Sequence, residues 1–305
     1  MATFLHAGRQ SDVRSSLQRS CQLGSLARQA LIAEAELTPK PGLVDRRGSG
    51  AHTDLSLDLM RRSARVLEPF FTDMASAAEG RVPDRDLRAE LAAIGRDAER
   101  AMYKATEGAN SHKGAIWILG LLVAAAVQRD GQQAREIASA AGTIARFPDR
   151  PSLNIVTHGD IVRKRHGVAG ARGEACRGFP HVVRFGLSTL RKRRNSGVRE
   201  EVCRLDALFS IMSRLEDTCL LYRGDIEALN VTKAGARAVL LAGGYGSSQG
   251  RMEACDLDRE LSARRISPGG SADLLAATIF LDAVERRQSE VSSDESKWEE
   301  TDGKA

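Results

Sequence analysis

The longest apolar run in the sequence is Gly114 to Val127, GAIWILGLLVAAAV. It is too short to cross a bilayer, which takes about 20 apolar residues in a helix. A helix that is apolar on every face belongs inside a protein. The rest of the 305 residues do not favour strands around it: Ala, Leu and Arg recur, and aromatics make up only 4%. Sheets draw on β-branched and aromatic side chains. A hydrophobic fraction of 42% with 28% charged residues is that of an ordinary globular protein, and the length allows a substantial core. The expected fold is all-α, a single compact multi-helix domain with its functional loops at helix ends.

Helical spacing of apolar residues appears at 21–37, 56–78, 84–104, 115–128, 133–146, 198–215, 225–241, 256–265 and 272–287. Thr38-Pro39-Lys40-Pro41-Gly42 closes the first segment, since two prolines and a glycine cannot continue a helix. The glycine-rich stretches 167–180 and 243–250 read as loops, and Ser271 reads as the N-cap of the last helix. Residues 1–20 are polar and lack the apolar centre of an export signal; a disordered leader is expected there. Residues 288–305 are polar and acidic, and a disordered tail is expected. That leaves 21–287 as the catalytic domain.

A net charge of +5 suits a polyanionic ligand, either a nucleic acid or a small phosphorylated molecule. The dense basic stretch is Arg191-Lys192-Arg193-Arg194, near an expected helix end where cations are favoured in any case. Nucleic acid is therefore not expected as a partner. The five cysteines (Cys21, Cys176, Cys203, Cys219, Cys255) are odd in number and scattered, with no C-x-x-C pair. That argues for reduced thiols in a cytoplasmic protein and against a disulfide framework. No membrane contact is expected.

Four glycine-bearing turns each carry a full charge beside a helix end, where backbone N–H groups and the helix dipole can hold phosphate. The first runs from Leu37 to Asp54. It offers Lys40 on a stiff Pro-Lys-Pro segment, Asp45 and Asp54 as oxygen ligands for Mg²⁺, and His52 as either a catalytic or a structural imidazole. The second, Asn110-Ser111-His112-Lys113-Gly114, has the composition of a phosphate cradle without a Walker pattern; a capping turn is the alternative. The third, Gly170-Ala171-Arg172-Gly173-Glu174, presents Arg172 for a bidentate phosphate contact. There Glu174 would orient the arginine, bind metal or simply pair with it. The fourth, Ser267-Pro268-Gly269-Gly270-Ser271-Ala272-Asp273, is an anion turn at a helix start, or a plain cap. The run 216–224 adds Asp217 and Arg223.

In chain order, Glu34 with LTPKPGLVDR (37–46) and GAHTD (50–54), NSHKGAIWILGLL (110–122), GARGEACRGFPHV (170–182), DTCLLYRG (217–224) and ISPGGSADLLAATIFL (266–281) resemble the triphosphoribosyl-dephospho-CoA synthases. The resemblance spans 34–281. It implies an all-α pentosyltransferase acting on ATP and 3′-dephospho-CoA. Adenine leaves C1 of the ATP ribose, and the 2′-hydroxyl of dephospho-CoA takes its place. The product is the precursor of the prosthetic group of citrate lyase or malonate decarboxylase; the free-standing look of the chain favours malonate. Ser111 stands where threonine is expected, Cys219 and Tyr222 where asparagine and histidine are, and Asp225 in place of a second glycine.

Such a displacement develops positive charge on the sugar, and preorganised electrostatics should supply most of the catalysis. On the implied assignment Lys40, Lys113 and Arg172 hold phosphates, with Asn110, Ser111, His112, Arg223, Ser267, Gly269, Gly270 and Ser271 around the nucleotide. Asp45, Asp54 and Glu174 hold Mg²⁺ or serve the sugar. The base is Asp217 or Asp273, with His52 or His112 as alternatives, and Glu34 belongs to the same catalytic set. The oligomeric state stays open, a homodimer included. The rival enzyme reading is a helical Mg²⁺-dependent nucleotide or ADP-ribose hydrolase, with water as acceptor.

Overall fold

A computed structural model describes residues 2–128, 133–149 and 158–302, with side chains described within 15–128, 133–149 and 158–287. Among the described residues there are twelve α-helices and no strand: α1 Ala2–Glu36, α2 Leu57–Ala78, α3 Arg85–Ala105, α4 Lys113–Gln128, α5 Ala134–Arg146, α6 His158–His166, α7 Gly170–Cys176, α8 Ser188–Asn195, α9 Glu200–Met212, α10 Thr218–Leu241, α11 Ser248–Ala263 and α12 Gly269–Asp302. A π-helical segment, His181–Leu187, joins α7 to α8. The expectations of a disordered leader at 1–20 and tail at 288–305 fall largely on residues whose side chains lie outside the described set.

Helix α4 is the axis of the bundle. Every residue from Ile118 to Val127 is buried, and α1, α2, α3, α5 and α12 all pack on it. Such a helix has no solvent face, so its sequence can be apolar throughout. One large hydrophobic cluster unites these helices. Helix starts follow local chemistry: Ser56 accepts the Leu59 N–H, Asp84 accepts the Leu87 N–H, and Gln133 and Glu136 form a capping box.

Two expectations fail. The stretch 167–180 is not an open loop, because 170–176 forms α7 and the π-helical segment follows. Its glycines hide the helical period in the sequence, yet α7 packs closely on α5. A Cβ on Gly142 would lie 3.0 Å from Ala175 O and 3.1 Å from Gly178 N. Ser271 does not cap the last helix, which already begins at Gly269; its hydroxyl donates to Asp217 at 2.9 Å.

Candidate functional site

The turn after α1 is closed from within. Lys40 is buried, and its Nζ lies 2.5 Å from Glu34 Oε1 on the last turn of α1. Asp45 folds the turn around itself: its carboxylate accepts Lys40 N–H at 2.9 Å, Arg47 N–H at 2.8 Å and the Arg47 guanidinium at 2.7 Å. Gly42 N–H donates to Asp258 of α11 at 2.9 Å. His52, further along, meets Ser267 Oγ through Nε2 at 2.8 Å. The first and fourth turns are thereby joined.

The second turn forms the N-terminus of α4. Asn110 Oδ1 accepts Lys113 N–H at 3.2 Å, which is the capping role, while Lys113 Nζ reaches Glu99 on α3 at 3.1 Å. His112 is buried, with Nδ1 2.7 Å from Ser63 Oγ on α2. Gly114 is required by what lies against it: a Cβ there would sit 2.0 Å from Asp273 Oδ2. Asp273, in the first turn of α12, therefore rests on the start of α4, where the Ala115 N–H faces its carboxylate. That is the positive end of the helix dipole.

Asp217 ties the remaining segments together. Its Oδ1 accepts Cys219 N–H at 2.9 Å and Gly270 N–H at 3.3 Å, and its Oδ2 accepts Ser271 N–H at 2.7 Å and Ser271 Oγ–H. Gly170 approaches Thr218: a Cβ would be 3.4 Å from Thr218 Cγ2. The third segment thus reaches this centre through Gly170. Its charged residues point elsewhere. Arg172 is exposed, and its charge is felt by Arg88 of α3. Glu174 is buried and takes His181 N–H at 2.7 Å and His181 Nδ1 at 2.8 Å, with no pairing to Arg172.

The electrostatics separate these groups by role. Burial raises the Asp273 carboxyl well above the usual range, and the neighbouring Glu34 and Asp217 charges push the same way. Burial also raises Asp217 against its hydrogen bonds, and raises Glu34 against the Lys40 charge. The His112 imidazole is driven down to about 3 by burial and then by Lys40. His52 is lowered by burial and by the charge of Arg223. Asp273 is the carboxylate of this group that is neither ion-paired nor saturated with donors.

The three carboxylates assigned to Mg²⁺ do not converge. Both oxygens of Asp45 and both of Glu174 already accept protein donors, so neither fits a metal ligand. Asp54 is exposed, its nearest ionic neighbour being His52 Nδ1 at 3.6 Å, and its oxygens suit a hard cation. Among the described residues no three His, Cys, Asp or Glu side chains are grouped to hold a metal ion.

Sequence reasoning missed Ser63, Asp258 and His181. Ser63 and Asp258 sit inside helical segments whose pattern gives no sign of a remote partner, and His181 stands in the 170–182 block with no role assigned to it. The family departures find partners too: Tyr222 stacks on His158 at 3.9 Å, and Asp225 pairs with Arg165 at 3.2 Å and His166 at 3.4 Å. The basic run near 191–194 is spent internally, Arg191 on Glu285, Arg193 on Asp206 and Arg194 on Glu200 and Asp282. No described helix is long and apolar enough to cross a membrane.

A family model described as CitG: ATP:dephospho-CoA triphosphoribosyl transferase matches residues 20–292. A Pseudomonas aeruginosa (strain UCBPP-PA14) protein named "Probable 2-(5''-triphosphoribosyl)-3'-dephosphocoenzyme-A synthase" is 54% identical over 265 residues, 86% of this chain and 90% of its own. Proteins of the same name from Stutzerimonas stutzeri and Azotobacter vinelandii are 53% and 51% identical, over 86% and 87% of this chain and 91% of each relative. No solved structure matches the chain.

Proposed function

The chain belongs to the ATP:dephospho-CoA triphosphoribosyl transferase family, and from that premise we propose that it transfers the triphosphoribosyl group of ATP to the 2′-hydroxyl of 3′-dephospho-CoA, releasing adenine. The product serves as precursor to the prosthetic group of an acyl-carrier subunit, that of malonate decarboxylase in this reading. The observation that carries the mechanism is the placing of Asp273, a carboxyl with a raised pKa, against the start of α4.

Asp273 is the base. Once ionised it accepts the proton of the attacking 2′-hydroxyl, and its raised pKa makes it a stronger acceptor than an ordinary carboxylate. Its negative charge also opposes the positive charge developing on the ribose. Asp217 positions: by gathering Gly270 N–H and Ser271 N–H it fixes the turn from which Asp273 projects. Lys40, held by Glu34, gives the site a fixed positive charge, and Lys113 and Arg223 supply further cations for the triphosphate. Asn110, Ser267, Gly269 and Gly270 shape the walls. Asp54 would be the carboxylate open to Mg²⁺, which would supply neutralisation of the ATP phosphates.

The test is incubation of the purified protein with ATP, Mg²⁺ and 3′-dephospho-CoA, with free adenine read by chromatography. Adenine should appear only when dephospho-CoA is present. Equal release without it would favour the hydrolase reading.

A further inference from the structure

Ser63 lies in the second turn of α2, fully buried and outside every motif of the sequence. A helical serine commonly turns its hydroxyl back to its own helix. Here Ser63 Oγ instead accepts Ser111 Oγ–H at 2.8 Å and lies 2.7 Å from His112 Nδ1. A hydroxyl has one proton to give. Ser63 Oγ makes no other hydrogen bond among the described residues, so the acceptor left for its proton is Nδ1, taken as the unprotonated nitrogen. The imidazole is neutral, so its own proton sits on Nε2. That nitrogen is buried and has no partner among protein atoms, and the Lys40 charge acts on the same ring.

We propose that Ser63 is a positioning residue, which with Ser111 locks His112 as a neutral Nε2–H donor reserved for an anionic oxygen of the nucleotide. A buried donor left unmatched is costly, and a ligand atom would complete the arrangement. The proposal rests on the transferase reading for the identity of that ligand. It assigns His112 the role of donor and removes it from the candidates for base. It also gives the hydroxyl at position 111, serine or threonine alike, a reason to be there.

The experiment is two-bond ¹H–¹⁵N correlation NMR of ¹⁵N-histidine-labelled protein, with the His112 signals assigned through His112→Gln. Wild-type His112 should show a protonated Nε2 and a bare Nδ1 throughout the interval of about pH 5 to 8 in which ordinary histidines titrate. Addition of ATP should shift the Nε2–H resonance. Ser63→Ala should mix the two tautomers and lower kcat by about 10- to 100-fold, the range for losing a partner that orients a functional imidazole; Ser63→Thr, which keeps the hydroxyl, should restore both. A wild-type Nδ1–H tautomer overturns the proposal. So does Ser63→Ala with tautomer and kcat unchanged. Absence of adenine release by the wild type sinks the transferase reading alone, because the tautomer spectrum tests the relay without any turnover.

Discussion

Lys40 Nζ and Glu34 Oε1 meet at 2.5 Å, with both side chains shut away from water. The pair fastens the turn that carries Asp45 and His52 to the end of α1. Breaking a buried pair on one side leaves a bare charge and costs about 3–5 kcal/mol. Glu34→Gln and Lys40→Met should each lower Tm strongly in thermal denaturation. The double variant should regain most of that loss while adenine release stays absent, because the fixed cation is gone. Single variants as stable as wild type would show that the turn is held by other contacts.

Asp273 makes the opposite prediction. Its folded pKa lies above the ordinary aspartate value, so the folded state binds the proton more tightly than the unfolded one. The stability it contributes is present in acid and is lost as pH rises through the raised pKa. Asp273→Asn keeps an acceptor for Ala115 N–H and removes the repulsion with Glu34 and Asp217. The variant should therefore melt higher than wild type at neutral pH and show no transferase activity, a trade of stability for function. In the wild type, kcat should fall on acidification at a pH above the normal carboxylate range. A wild-type acid limb at about pH 4 would mean that another group is the base.

The all-α class was legible because Gly114 to Val127 can only be an interior helix, and helix starts were legible where Ser56, Asp84 and Gln133 cap them. Helix α7 was not, since Gly170 and Gly173 erase its period and packing on α5 restores it. The site was half legible. Loops with glycine and charge marked segments that the fold brings into contact, but burial and partners decide what each charge does. Asp45 and Asp54 look alike in sequence, yet one is saturated inside the turn and the other is exposed. Asp225, where the family pattern has glycine, takes φ +61° at a break in α10, a conformation that favours glycine. No local pattern announces that.

The contrast between Asp45 and Asp54 can be measured directly. Asp45→Asn loses acceptors for Lys40 N–H and the Arg47 guanidinium, so it should destabilise the fold by roughly 1–3 kcal/mol and leave the Mg²⁺ concentration for half-maximal activity unchanged. Asp54→Asn should leave Tm near that of wild type and raise the Mg²⁺ requirement. Mg²⁺ titrations of adenine release, run beside denaturation curves, separate the two. A shift in Mg²⁺ requirement for Asp45→Asn alone would reverse the assignment.

Arg223 is exposed and, among the described residues, is joined to no carboxylate, yet its charge reaches His52. A guanidinium free of internal partners beside this site is available to a phosphate. Loss of a charge-assisted hydrogen bond costs about 1.5–3 kcal/mol, so Arg223→Ala should raise KM for ATP by roughly tenfold or more with a smaller effect on kcat. Arg223→Lys should recover part of it, since lysine keeps the charge and loses the bidentate fork. The same substitution should act on His52. Removing the guanidinium lifts one of the two influences that hold its pKa down, and burial remains. The imidazole should then titrate at a higher pH than in wild type. An NMR titration of His52 that is identical in wild type and Arg223→Ala, together with an unchanged KM, would place Arg223 outside the site.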